Sequence, residues 1–209
     1  MIRVFVVDDH PVVRKGLVQI LAAEPGMSVA GEAVDTSAAL QSLDKTEVDV
    51  LLLDVMLPGR SGLEFLKELK QLHPKLPVLI LSQYPEDQMA VRAIRSGASG
   101  YLTKDSAPEQ LIEAVRRLHS GRKYLTAQTA ELLADSVESG QEKPHEALSD
   151  REFDVLRRIA TGQSVSDIAA ELNLSVKTVS TYRTRVLEKM SMRSNADLTR
   201  YAIQNQLVE

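Results

Sequence analysis

Val48-Asp-Val-Leu-Leu-Leu-Asp54-Val-Met-Leu-Pro58-Gly59 is the stretch that decides the fold. Leu51, Leu52 and Leu53 form a short apolar run without period-2 alternation, the pattern of a strand buried on both faces of a parallel sheet. The run ends on an acid, Asp54, and a loop containing Pro58 and Gly59 follows. In open α/β sheets ligands bind beyond the carboxyl ends of the strands, so Asp54 stands where such a fold keeps its chemistry. Taken alone, Asp54 could equally do no more than turn the chain into the next helix.

Outward from this strand the same unit repeats. Residues 2–7 read as a strand ending at Asp8-Asp9, and Pro11 opens a helix to Ala23 through Val12, Val13, Leu17, Ile20 and Leu21. Met27 to Val34 is a strand, and Thr36 opens a helix carrying Ala39, Leu40 and Leu43. After the Asp54 strand, Ser61 to Leu72 is a helix with Leu63, Leu66, Leu69 and Leu72 on one side. A fourth strand, 77–81, ends at Ser82, and Glu86 to Arg95 is its helix, closed by Gly97. Ser99 to Leu102 is a fifth strand before Thr103-Lys104, and Pro108 starts a helix to about His119. Repeated strand-then-helix units imply a doubly wound, five-stranded parallel α/β sheet, flavodoxin-like, of order 2-1-3-4-5. No Gly-x-Gly-x-x-Gly follows the first strand and no Walker-type Gly-Lys-Ser/Thr occurs, which disfavours a dinucleotide or nucleoside-triphosphate site.

Composition sets the outer limits. The 209 residues are 44% hydrophobic and 26% charged, an ordinary globular balance with room for two modest domains. Cysteine is absent, which excludes disulfides and thiolate metal sites. The apolar run at the N-terminus is too short for a signal peptide, and no stretch reaches membrane-spanning length, so a cytoplasmic location is expected. The net charge of −4 is unevenly spread. Within 175–193, Lys177, Arg183, Arg185, Lys189 and Arg193 face only Glu188. That stripe is either a nucleic-acid footprint or a solvated helix face.

At the carboxyl edge of the expected sheet, Asp8 and Asp9 end strand one, Asp54 strand three and Ser82 strand four, while Lys104 follows strand five. Converging carboxylates repel unless cations offset them. Lys104 supplies one charge, and Mg²⁺ with oxygen ligands is the natural candidate for the rest. Asp54 then becomes a nucleophile able to form an aspartyl-phosphate, with Ser82 and Lys104 contacting the other phosphoryl oxygens. An Asp-based phosphohydrolase is the competing enzyme reading. It would call for a second Asp two residues after the nucleophile, where Met56 stands, and for a substrate cap, whereas the residues beyond the sheet read as helical signals of another kind.

Residues 122–147 read as a linker with one helix over Thr126 to Val137, then a polar, breaker-rich stretch from Glu138 to His145. From 148 to 209 the signals are all helical. Ser149-x-x-Glu152, Ser164-x-x-Asp167 and Ser194-x-x-Asp197 are capping boxes, and Ser175 caps a longer helix to about Met190. Ser164 to Leu172 and Ser175 to Met190, separated by Asn173-Leu174, form a helix-turn-helix. On a helical wheel Val179, Val186 and Met190 share the buried face, with Leu187 alongside. Lys177, Ser180, Thr181, Thr184 and Arg185 lie opposite, together with Glu188 and with Thr178 beside them, and this small, polar, mostly basic face suits the major groove of double-stranded DNA. Lys177 and Arg185 suit phosphates, the short hydroxyl side chains suit base edges, and Arg183 is read as a packing or phosphate residue.

Val-Val-Asp8-Asp9-His, Leu-Leu-Leu-Asp54-Val-Met-Leu-Pro58-Gly, Ile-Leu-Ser82 and Gly-Ala-Ser-Gly-Tyr101-Leu-Thr-Lys104 resemble the receiver domain of two-component response regulators over about residues 1–121. Leu148 to Leu156 and Leu174 to Arg183 are similar to the LuxR-type output of the NarL/FixJ family. The resemblance implies that Asp54 accepts phosphate from a sensor histidine kinase. It implies that Asp9, Asp54 and the Met56 carbonyl bind Mg²⁺ directly, with Asp8 acting through water. It makes Ser82 and Tyr101 a switch pair, Tyr101 turning inward when Ser82 moves to the phosphate. It also implies a phosphorylation-promoted homodimer on promoter DNA, with the fourth helix of the output domain, about 194–206, forming the dimer contact. The chain departs from the family pattern at Asp105, where a proline is common, and at Asn195-Ala196-Asp197-Leu198.

Overall fold

β3 (Val50–Asp54) is buried along its whole length, as its unbroken apolar run requires. It lies between β1 (Ile2–Val7) and β4 (Val78–Ser82), with β2 (Met27–Ala33) and β5 (Gly100–Thr103) at the edges. All pairings are parallel and the order is β2-β1-β3-β4-β5, the expected doubly wound topology. The computed structural model describes residues 1–138 and 143–208. Part of the expected polar linker, 139–142, lies outside the described residues. Two compact units emerge, Met1–Asp135 and Ser136–Glu209.

In the first unit each strand is followed by its helix: α1 (Pro11–Ala23), α2 (Thr36–Leu43), α3 (Gly62–Leu72), α4 (Glu86–Arg95) and α5 (Pro108–His119). Strand side chains alternate between faces, so one set packs on one layer only. Val4, Val6, Val50, Leu52, Leu79, Leu81 and Leu102 form a single core with Leu21 of α1 and Leu111, Val115 and Leu118 of α5. Phe5, Leu51, Leu53 and Ile80 point to the opposite side and are equally buried. Full burial of each such side chain stabilises the fold by roughly 1.5–3 kcal/mol. Two helix residues depart from the expected apolar stripes. Val12, in the first turn of α1, is 84% exposed, and Leu72, at the end of α3, is 57% exposed. Val12 is the second residue of α1 and Leu72 the last of α3, so both sit at helix ends.

Tyr124 packs into the same core after α5, and its N–H donates to the Ser99 carbonyl at 3.0 Å. Tyr124 also forms a one-residue parallel bridge with Gly100. The first unit thus reaches past residue 121, and α6 (Ala127–Glu138) starts from a chain already attached to β5.

In the second unit α7 (Asp150–Ala160), α8 (Val165–Glu171), α9 (Val176–Lys189) and α10 (Asn195–Gln204) follow a 3₁₀ turn at Pro144–Ala147. Ser149 and Ser164 are reciprocal caps with Glu152 and Asp167, and Ser175 and Ser194 cap α9 and α10. Asn173 takes the left-handed conformation (φ 52°) between α8 and α9, a conformation its short polar side chain tolerates. The Leu174 N–H returns to the Ala169 carbonyl at 2.9 Å and closes the turn of the helix-turn-helix. His145 Nδ1 lies 2.8 Å from the Tyr201 hydroxyl, tying the 3₁₀ turn to α10.

Candidate functional site

The parallel topology puts the carboxyl ends of β1, β3, β4 and the start of the β5–α5 loop side by side. Asp8 and Asp54 are each 1% exposed, and Asp9 is half-buried. Lys104 Nζ lies 2.7 Å from Asp8 Oδ2 and 2.7 Å from Asp54 Oδ2. The Met56 N–H donates to Asp54 Oδ1 at 2.9 Å, which holds the carboxylate's second oxygen and keeps residue 56 at the pocket. Gly59 adopts φ 75° in the following loop, the turn that Pro58-Gly59 announces.

One ligand atom each from Asp8, Asp9, His10 and Asp54 lies within 4.8 Å of the others. Asp8 Oδ2 and Asp9 Oδ1 are buried without an aligned hydrogen bond. Their near neighbours are cationic or potentially so: Lys104 for the first and His10 Nδ1, at 2.8 Å, for the second. Buried carboxylate oxygens left to ionic contacts alone are what a hard divalent cation satisfies, so the donor set fits such an ion. His10 is the member of the cluster that the sequence reading left without a role. Its only sequence signal was adjacency to Asp9, since a lone histidine carries no periodicity.

Burial pushes the Asp54 carboxyl up to about 6, and Asp8 adds to the rise, while Lys104 and the Met56 N–H pull it down. At neutral pH Asp54 therefore remains the carboxylate a nucleophile must be. Burial would lower the Lys104 ammonium, but Asp54 and Asp8 outweigh it and the net shift is upward. Lys104 stays charged.

Ser82 is fully buried at the end of β4, and its Oγ accepts the Tyr84 N–H at 3.1 Å. Register places Ser82 beside Thr103 and Asp54 beside Leu81, so the expected residues share one sheet edge. Tyr101 is 1% exposed and occupies the inward position, its hydroxyl donating to the Tyr84 carbonyl at 2.6 Å.

In the second unit α9 buries Val179, Val186 and Met190, the face expected from the wheel. Lys177, Ser180, Thr181, Thr184 and Arg185 are exposed and Thr178 is half-buried. The Thr181 and Thr184 hydroxyls donate to the Lys177 and Ser180 carbonyls, each at 3.0 Å, which leaves their oxygens able only to accept outward. Arg183 donates to Asn195 Oδ1 at 2.6 Å, in keeping with a packing role. Lys189 bonds Glu152 at 2.6 Å, so part of the basic stripe serves to hold α9 against α7. Val176, 51% exposed in the first turn of α9, is a further outward residue that the polar-face reading passed over.

A receiver-type phosphoacceptor pocket on a flavodoxin-like sheet, joined to a helix-turn-helix, defines a phosphorylation-controlled DNA-binding regulator, not an enzyme. Residues 4–116 match the response regulator receiver domain, and 146–202 match the bacterial regulatory proteins of the luxR family. The chain belongs to the two-component response regulators with a LuxR-type output domain. It is 37% identical over 210 residues to the response regulator GacA of Pseudomonas protegens, covering 100% of this chain and 99% of that relative. It is 35% identical to the response regulator UvrY of Escherichia coli K12, covering 99% and 96%. Among solved structures it resembles RcsB of Salmonella enterica serovar Typhimurium bound to promoter P1flhDC with the phosphomimetic BeF3⁻. That likeness is 28% identical, with a TM-score of 0.65, over 96% of this chain and 97% of that one. Among the described residues no helix is long and apolar enough to cross a membrane.

Proposed function

We propose that Asp54 is the phosphoacceptor of this regulator and that a sensor histidine kinase is the donor. The observation that carries the assignment is the convergence of Asp8, Asp9, His10 and Asp54 within 4.8 Å, with Lys104 2.7 Å from Asp54. An Asp54 oxygen attacks phosphorus, the phosphorus–nitrogen bond to the donor imidazole breaks, and an acyl phosphate forms on the carboxylate. Lys104 neutralises one phosphoryl oxygen and Ser82 donates to another. Mg²⁺ is the fitting cation, and Asp9, Asp54 and the Met56 carbonyl would hold it, with Asp8 acting through water. When bound, it would supply charge neutralisation for the transferring group.

The readout is DNA binding by α9 in the cytoplasm. Lys177 and Arg185 meet phosphates, while Thr178, Ser180, Thr181 and Thr184 approach base edges. Phosphorylation biases a two-state receiver through Ser82 and Tyr101 and favours a homodimer on promoter sites. Incubation with radiolabelled acetyl phosphate and Mg²⁺ tests the site. Parent protein takes up hydroxylamine-sensitive label and Asp54→Asn does not; equal labelling of the two overturns the assignment.

A further inference from the structure

The root of the interdomain helix is attached to the first unit at two places. Tyr124 bridges to Gly100 at the β5 edge, where a Cβ on Gly100 would lie 2.9 Å from the Tyr124 carbonyl oxygen. Glu86, the first residue of α4, then closes over the start of α6. The hydroxyls of Thr126 and Thr129 both donate to Glu86 Oε2, the second at 2.5 Å. The Thr129 N–H also donates to Thr126 Oγ1 at 3.1 Å, which locks the helix entry. Thr129 is 1% exposed while Glu86 and Thr126 are half-buried, so the Thr129 end of the clasp is the shielded one, and both hydrogen bonds to the carboxylate are of the stronger, charge-assisted kind.

Glu86 stands only four residues after Ser82, at the end of the loop that the switch residues handle. Within that loop Ser82 Oγ accepts the Tyr84 N–H, and the Tyr84 carbonyl accepts the inward Tyr101 hydroxyl. Pro85 follows Tyr84 directly and limits how far the backbone can absorb a displacement before Glu86 feels it. The inward tyrosine and the closed clasp are thus two ends of one short, hydrogen-bonded segment.

We propose that the Glu86–Thr126/Thr129 clasp couples the Ser82–Tyr101 switch to the interdomain helix, closing when Tyr101 is inward and opening when it leaves. The coupling rests on the reading of Asp54 as phosphoacceptor only for its trigger. Phosphorylation, by favouring inward Tyr101, anchors the first turn of α6 on α4 and so sets where the chain to the DNA-binding unit departs. By linkage the effect is reciprocal: a chain with a broken clasp binds a phosphoryl analogue more weakly.

Amide exchange at 127–130 in the full-length chain tests this, with beryllofluoride and Mg²⁺ as the phosphoryl probe. Glu86→Ala, or Thr129→Val, which keeps the volume and removes the donor, should speed exchange there by about tenfold, the scale of losing one hydrogen bond to a charged group. Tyr101→Phe, which removes only the distant hydroxyl, should speed the same amides without any phosphoryl probe. Beryllofluoride should slow them in the parent chain but not in Glu86→Ala, which should also bind it more weakly. Parent-like exchange at 127–130 in Tyr101→Phe overturns the coupling, and parent-like exchange in Glu86→Ala and Thr129→Val overturns the clasp itself. Absence of a bound fluorine resonance in the parent chain would count against the Asp54 reading instead, while the Tyr101→Phe arm still decides the coupling.

Discussion

Lys104 Nζ stands 2.7 Å from Asp54 Oδ2 with its own side chain only 8% exposed, a buried ion pair at the carboxyl edge of the sheet. Its counterpart Asp8 Oδ2 lies equally near, so one ammonium serves two buried carboxylates. The pocket is therefore short of positive charge by construction. That deficit makes the fold itself sensitive to pH, metal and substitution here.

Asp54 has its proton affinity raised in the folded state, from 3.8 to about 6. A carboxyl raised in this way contributes stability that is full below the unfolded value and is lost as pH climbs through the folded one. From below pH 4 to pH 7 the parent chain should thus lose about 3 kcal/mol that a neutral isostere does not lose. Asp54→Asn should be more stable than the parent at pH 7 in chelator, with the gap closing below pH 4. Urea unfolding at a series of pH values checks this, and equal stability at pH 7 would refute it.

Removing the cation has the opposite effect. Lys104→Met leaves Asp8 and Asp54 buried together without their shared partner, a change that costs about 3–5 kcal/mol at buried pairs. Millimolar Mg²⁺ should restore part of the loss, because the ion fits the same oxygens. Thermal melts of parent and variant, each with and without Mg²⁺, report it. A variant that melts with the parent in chelator would show that Lys104 does not hold the pocket together.

Gly62 carries a constraint of a different kind. A Cβ there would sit 2.0 Å from the Asp54 carbonyl oxygen and 2.9 Å from Val55 Cα, both backbone atoms that cannot step aside. Its own N–H donates to the Val55 carbonyl at 2.9 Å, so α3 starts pressed against the end of β3. Gly62→Ala should cost about 1–3 kcal/mol, the range for overpacking, and should slow phosphoryl uptake more than the lost stability explains. Labelling rates measured on the folded fraction separate the two effects.

What the sequence disclosed and what it withheld divide along physical lines. Leu51 to Leu53 read as a buried strand because periodicity reports which side of an element meets the core, and Ser149 and Ser164 read as caps because capping is local. Asp8, Asp54, Ser82 and Lys104 could be assembled because parallel topology aligns strand ends. Glu86 and Thr129 are 43 residues apart, and no pattern within either segment announces their bond. Lys189 belongs to a basic stripe that its spacing leaves open between a nucleic-acid footprint and a solvated helix face, yet its partner Glu152 lies on another helix. Gly62 gave no signal at all, since the atoms it must avoid belong to the Asp54 and Val55 backbone.

The outward face of α9 predicts a graded response to substitution. Lys177 and Arg185 are exposed, and each would release counterions from DNA on contact. Lys177→Ala should weaken binding to specific and unrelated duplexes alike and lower the slope of log K against log salt by about 1. Val176 offers a half-exposed apolar surface in the same first turn, suited to a thymine methyl. Val176→Ser should change preference between sequences while leaving the salt slope as it was. Titrations of the full-length protein against a promoter duplex and a scrambled one, at several salt concentrations, resolve both. A Lys177→Ala slope equal to the parent's would remove Lys177 from the DNA backbone, and an unchanged preference in Val176→Ser would remove Val176 from the bases.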